Sequence, residues 1–118
     1  LFQDPTHAGV VVVALPEDMP ANETVELATE IRAMNLPIPR LVVNGVLPSL
    51  FQPSDRDVLA EAPGSILGAA RARAVREGIQ NAAMEKLASL HLPTVQLPFL
   101  AHPPASDPSS ILKLARLL

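Results

Sequence analysis

The sequence predicts an α/β fold, with a parallel sheet of about three strands and flanking helices. Three short apolar segments alternate with segments of helical periodicity, and right-handed crossovers join such strands into a parallel sheet. The first apolar segment has no polar residue on either face, which indicates a strand covered on both sides. The chain has 118 residues and no internal linker, so residues 1–118 form a single α/β segment.

The first third of the chain predicts a strand, a helix and a second strand. The first strand is Ala8–Leu15, and Pro16 ends it. Asn22 is the predicted N-cap of the following helix, because Asn is a favoured capping residue and glutamates follow it. Arg40–Asn44 is the second strand. The buried stripe of the helix is predicted at four positions: Val25, Ala28, Ile31 and either Ala33 or Met34.

The remainder predicts two helices, a third strand and a last helix. Gly45–Pro63 is a proline-interrupted loop with a short helix capped by Ser54. The longest helical pattern runs from Ser65 to Leu90, and Thr94–Leu97 is a third strand. Asp107 caps the last helix, with proline in its first turn.

Apolar spacing predicts which side of each of these two helices is buried. The long helix has apolar positions at threes and fours: Ile66 or Leu67, Ala70, Ala74, Ile79, Ala83, Leu87 and Leu90. Its polar side carries the charged residues: Arg71, Arg73, Arg76, Glu77, Glu85 and Lys86. The last helix is expected to bury Ile111, Leu112, Leu114, Ala115 and Leu118.

Composition excludes several classes of protein. Charged residues make up only 18% and hydrophobic residues 48%, which excludes a disordered tail and suggests that some surface lies against something else. A net charge of −3 predicts no binding to nucleic acid. The absence of cysteine excludes disulfides, zinc–thiolate sites and thiol catalysis. The longest apolar stretch is far shorter than the ~20 residues of a membrane-spanning helix.

The chain is expected to belong to something larger. It begins without Met or a basic leader, which indicates part of a longer protein rather than a signal peptide. Three apolar strands are also few for a parallel sheet, and their edges would be exposed for pairing. Further strands are therefore expected beside them, from the same chain or another.

Candidate ligand-binding residues lie where the predicted strands end, because open parallel sheets bind ligands at their carboxyl ends. The Asn44 carboxamide offers one acceptor and two donors, which suits the Watson–Crick edge of adenine. The alternative is a hairpin turn at Asn44-Gly45, pairing Leu41–Val43 with Val46–Leu50. Pro48 would interrupt the second arm of that hairpin.

The segment after the third strand is the second candidate. The backbone of Pro98 and Leu100 and the ring of Phe99 could flank a flat base, and the alternative is a turn with a core Phe. Glu17 and Asp18 could hold a metal or a hydroxyl, although a solvated loop is favoured. The three histidines show no ligand spacing, and no phosphate-binding glycine loop is present.

Three blocks, Leu15–Thr24, Leu41–Pro48 and Val95–Leu100, resemble the C-terminal part of the arsenite-pump ATPases. That family includes the ATPases that target tail-anchored membrane proteins, and the blocks occur in its order and spacing. The resemblance implies the C-terminal part of a P-loop NTPase fold of the deviant Walker A kind. The phosphate loop, the metal-binding aspartates and the switch regions would lie upstream.

The resemblance also implies roles for individual residues. Asn44 would hydrogen-bond adenine, and Pro98, Phe99 and Leu100 would contact the base. Pro16–Asn22 would lie near the base or a dimer interface. The sequence departs from the family in two ways. The stretch between Asn44 and the long helix lacks the CxxC that bridges zinc-linked dimers in tail-anchor targeting factors, and no thiolate is present to bind a metalloid as in the arsenite pumps.

The implied function is that of an anion-transporting ATPase that couples ATP and Mg²⁺ to transport or targeting of a cargo. The intact protein would be cytoplasmic or peripheral to a membrane, and a homodimer or pseudo-dimer. Its expected partner is a membrane protein or a transporter. This segment alone would be inactive. The alternative is a non-enzymatic α/β protein-interaction module.

Overall fold

A computed structural model of the chain describes residues 4, 6–61, 64, 67–101 and 107–118. The predicted order of strands and helices is confirmed within this part of the chain. The elements are β1 (Val11–Ala14), α1 (Asp18–Ala33), β2 (Arg40–Val46), α2 (Pro53–Glu61), α3 (Gly68–Ala88), β3 (Thr94–Pro98) and α4 (Pro108–Ala115).

The three strands form a parallel sheet in the order β1-β2-β3. Val13 lies beside Val42, and Val42 lies beside Val95, so these three side chains share one face. The predicted α/β fold with a three-stranded parallel sheet is therefore confirmed. The hairpin alternative is wrong, because β2 continues through Asn44 and Gly45 and pairs with parallel neighbours on both sides.

Helices α1 and α3 both cover the same face of the sheet. The strand order never reverses among the described strands, so two right-handed crossovers place their helices on one side. The resulting core joins residues of the sheet to residues of both helices: Val12, Ala14, Leu41, Val43, Ala21, Ile31, Ala83 and Leu87.

The expectation that both faces of β1 are covered is wrong for the described residues. Val12 and Ala14 are buried, whereas Val11 and Val13 are 54% and 63% exposed. An unbroken apolar strand therefore has one covered face and one open face here. The cause is the crossover geometry, which places both α1 and α3 on the first face, where Val12 and Ala14 are buried.

The expected burial of α4 is also wrong. Asp107 is its N-cap, as predicted, and accepts a hydrogen bond from the Ser109 N–H at 3.0 Å. None of the residues of α4 is buried, and Ile111 and Leu112 are among its exposed apolar side chains. The residues just beyond it reach the start of β2, where the Leu118 carbonyl accepts a hydrogen bond from the Arg40 guanidinium.

Helix α1 begins five residues earlier than the sequence predicts. Glu17 is the N-cap position, and Asn22 is an exposed residue inside the helix. Pro20 fits the first turn because the N–H groups there need no partner within the helix. The buried stripe accordingly begins earlier, at Ala21, Thr24, Ala28 and Ile31, while Val25 is half-buried and Ala33 and Met34 are exposed.

The buried stripe of α3 is rotated from its predicted position. Ala74, Ala83 and Leu87 are buried as expected, but Ile79 is exposed and Glu77 is buried. The loop after β2 packs on this side of α3 and supplies polar backbone groups, which is why a glutamate can be buried there. Ser54 lies inside α2, which begins at Pro53, and the predicted helix residues Ser65 and Ile66 lie outside the described residues.

Candidate functional site

The carboxyl ends of β2 and β3 lie side by side. Val46 is in register with Pro98, and the Phe99 N–H donates a hydrogen bond to the Val46 carbonyl at 2.8 Å. Three of the four predicted site residues, Asn44, Pro98 and Phe99, are therefore on adjacent strand ends. Leu100 follows directly and is half-buried.

Asn44 lies at an irregularity in β2. The register between β2 and β3 shifts between Val43 and Val46, and Gly45 has a φ of +75°. This combination is a β-bulge, which redirects side chains near the end of a strand. The Asn44 side chain is exposed and has no hydrogen-bond partner among the described residues. Its donors and acceptor are therefore available to a ligand.

Phe99 presents its ring to the surface. It is 60% exposed, so the alternative of a core phenylalanine is wrong. An exposed ring and an unpaired carboxamide at the ends of neighbouring strands supply a stacking surface and hydrogen-bonding groups. These are the groups that bind a flat, polar heterocycle.

The chain leaving β2 is held by the side chain of Gln80 on α3. Gln80 Oε1 accepts a hydrogen bond from the Leu47 N–H at 2.8 Å, and Nε2 donates one to the Leu47 carbonyl at 3.0 Å. One carboxamide thus satisfies both backbone groups of the first residue beyond the strand. Sequence reasoning did not single out Gln80.

Glu77, one turn before Gln80, holds the next part of the same loop. Its carboxylate is 1% exposed and accepts hydrogen bonds from the N–H groups of Leu50 at 2.9 Å and Phe51 at 3.3 Å. Sequence reasoning placed Glu77 on the solvated side. The available signal was the i, i+3 spacing of two long polar side chains, which puts both on one face of the helix.

Two arginines complete the environment of the buried carboxylate. Arg73 Nε lies 3.0 Å from Glu77 Oε1, and Arg56 Nη2 lies 3.4 Å from Oε2. Arg73 Nη2 also donates to the Pro48 carbonyl at 2.6 Å. Burial alone would raise the pKa of Glu77, but the hydrogen bonds from Leu50, Arg73, Phe51 and Arg56 outweigh it and lower that pKa. Glu77 is therefore a charged anchor for the loop.

The acidic pair after β1 lies at the start of α1. Asp18 is in the first turn of α1 and forms an ion pair with Lys86 of α3. Glu17 is the N-cap position of α1 and makes no side-chain capping bond. Within the described ranges, no group of three or more His, Cys, Asp or Glu residues could hold a metal ion.

The histidines are apart from the carboxyl ends of β2 and β3. His7 Nδ1 lies 2.7 Å from Asp4 Oδ2, near the start of the described chain. His91 is exposed and precedes β3, with a φ of +51°. His102 lies outside the described residues.

Two cavities occur elsewhere on the molecule. One of about 270 Å³ is at the amino ends of the strands, between Ala8-Gly9 and the prolines that precede β2. The other, about 110 Å³, lies between α2 and α3. Neither of these two cavities includes Asn44 or Phe99.

No protein-family model matches the sequence, and neither does any curated protein. In the part of the chain that the structure describes, no helix is both long and apolar enough to cross a membrane.

Proposed function

We propose that this chain is the adenine-binding C-terminal portion of an arsenite-pump-like ATPase. The observation that carries the proposal is that Asn44, whose carboxamide is unpaired, and Phe99, whose ring is exposed, lie at the ends of neighbouring parallel strands. They stand at the end of the sheet where open α/β folds bind ligands. Adenine presents a donor beside an acceptor, which one carboxamide can match.

The intact protein would bind ATP with Mg²⁺ and hydrolyse it. Phosphoryl transfer requires positioning and charge neutralisation, and the groups for both would lie upstream of this chain. The resemblance of the three sequence blocks supports this division of labour. ATP hydrolysis would be coupled to transport or targeting of a cargo by a cytoplasmic homodimer or pseudo-dimer, with a membrane protein as partner. The 118-residue chain alone would hydrolyse no ATP.

A titration of the ¹⁵N-labelled 118-residue chain with ATP and with GTP tests the base site. We expect ATP to shift the Asn44 side-chain NH₂ signals and the Phe99 N–H signal more than GTP does. Replacement of Asn44 with Ala should weaken ATP binding by about 1–3 kcal/mol, because the base loses its hydrogen-bond partner. Shifts confined to other regions would contradict the proposal, as would ATP turnover by this chain above a mock preparation.

A non-enzymatic interaction module is the second candidate, favoured by the exposed face of β1. Val11 and Val13 expose apolar surface, and so do Ile111 and Leu112 of α4. An interaction module would use this surface to bind a separate partner. In the ATPase this surface would instead pack against the rest of the intact protein. Two results together would favour the module. ATP would shift no signals of the wild-type chain, and Val13→Lys would lose partner binding.

A further inference from the structure

The end of β2 is held from two sides at two consecutive residues. The Val46 carbonyl accepts the Phe99 N–H at 2.8 Å, which ties β2 to the segment after β3. The next residue, Leu47, has both of its backbone groups bonded to Gln80 of α3. The strand end is therefore fixed by β3 on one side and by α3 on another.

This attachment is needed because the strand is irregular just before it. Gly45 has a positive φ, and the regular register ends at Val43. A glycine bulge without further support could adopt several backbone paths. The position of Asn44 relative to Phe99 would then vary.

Gln80 is suited to this task by its burial. Its side chain is 7% exposed, so its two hydrogen bonds are shielded from water. Glu77 and Arg73, on the same side of α3, bind the following residues of the loop through Leu50 and Pro48. The helix thus holds the loop over successive residues, beginning at Leu47.

We propose that Gln80 is a positioning residue that fixes the carboxyl end of β2 and so sets Asn44 relative to Phe99 for base recognition. The identity of the ligand rests on the proposed function, whereas the positioning of the strand end does not. Gln80 itself makes no contact with the base. Its effect on binding is transmitted through the Leu47 and Val46 backbone.

The test compares Gln80→Met with Gln52→Met in the 118-residue chain. Met keeps the length and the helix propensity of Gln but makes neither hydrogen bond. Gln52 is an exposed glutamine whose side chain has no hydrogen-bond partner among the described residues, so it is the matched control. The readout is the rate of hydrogen exchange of the Phe99 N–H relative to the amide of Val42, in the regular part of β2.

We expect this ratio to rise about tenfold in Gln80→Met and to stay at the wild-type value in Gln52→Met. A general loss of stability would speed both amides alike and leave the ratio unchanged. ATP affinity should fall about tenfold in the same variant. An unchanged exchange ratio in a folded Gln80→Met protein would overturn the inference.

Failure of the proposed function would give a different result. If ATP shifts no signal at Asn44 or Phe99 of the wild type, the base site fails, and the exchange ratio alone decides the role of Gln80. If Gln80→Met does not fold, Gln80→Asn replaces it, because it keeps an uncharged carboxamide but is one methylene shorter and so weakens both hydrogen bonds to Leu47. A smaller rise in the ratio then supports the inference, and no rise overturns it.

Discussion

Gly45 is the residue at which the path of β2 changes. Its φ of +75° belongs to the left-handed region that glycine adopts without steric cost. The bulge there places Asn44 beside the end of β3, and the Phe99 and Gln80 hydrogen bonds follow immediately. At this scale, the candidate site depends on one conformation that only glycine adopts easily.

Replacing Gly45 with Ala should destabilise the protein by about 1 kcal/mol, because a Cβ is strained at positive φ even though space is open around it. Gly78→Ala in the interior of α3 is the matched change. It should stabilise by about 0.5–1 kcal/mol, since Ala is the better helix former and its Cβ would meet no atom within 4 Å. Urea denaturation measures the change in the free energy of unfolding of each variant. Changes of the same sign in the two variants would contradict these predictions.

Glu77 gives stability a defined pH dependence. Its native pKa lies below the ordinary value of 4.5, so the ionised carboxylate stabilises the fold above pH 4.5. That contribution is lost as the pH falls through the lowered native pKa. Glu77→Gln should therefore cost about 2 kcal/mol at pH 7, with the difference from the wild type shrinking below pH 4.5.

Urea denaturation at a series of pH values measures this difference. Glu85→Gln, at an exposed site on the same helix, is the control and should show little change at any pH. The contrary result is a free energy of unfolding that differs between Glu77→Gln and the wild type by the same amount at every pH of the series. That result would show that ionisation of Glu77 does not stabilise the loop.

At the scale of elements, local signals predicted which segments form helices and strands but placed some boundaries wrongly. The predicted cap at Asn22 would leave Pro20 before α1, whereas Pro20 lies within its first turn. Asn22 looked like a cap and is inside the helix. A capping side chain satisfies free backbone N–H groups only where the helix actually begins. Where two starting positions are both acceptable, the local sequence does not determine which one is used. At α4 the cap is unambiguous, since Asp107 is followed directly by proline.

Helix α4 lacks buried residues, so its stability should depend strongly on that cap. Asp107 accepts hydrogen bonds from the Ser109 N–H and from the hydroxyls of Ser109 and Ser110, which lower the pKa of its carboxyl. Asp107→Ala should reduce helicity over residues 108–115, whereas Asp107→Asn, which still caps, should preserve most of it. Cα chemical shifts measure the helicity, and equal helicity in the two variants would show that the cap is dispensable.

The described part of the molecule is a thin plate in which α1 and α3 cover one face of the sheet. Its extents are 59 × 34 × 18 Å, and its radius of gyration is 17.5 Å. A compact domain of this length would have a radius of gyration of about 13–14 Å. The thin dimension fits a sheet with helices α1 and α3 on one face. This form supports the expectation that additional structure covers the second face.

The open face should make the chain associate with itself. We expect the double variant Val11→Thr/Val13→Thr to reduce concentration-dependent association, because it removes exposed apolar surface. Sedimentation velocity measures the association. Val12→Thr, at the buried position between them, should instead destabilise the fold by about 1–3 kcal/mol. Unchanged association in the double variant would exclude this face as the contact surface.

The sequence by itself determined the order and type of the elements and the parallel direction of the strands, because periodicity, prolines and capping residues act over a few neighbouring positions. It also pointed to Asn44 and Phe99, since strand ends can be recognised locally. Only the tertiary structure decided that both major helices share one face, that Glu77 and Gln80 are buried against the loop after β2, and that Val46 meets Pro98. Each of these depends on contacts between residues distant in the chain, and the free energy of such contacts is absent from any local pattern.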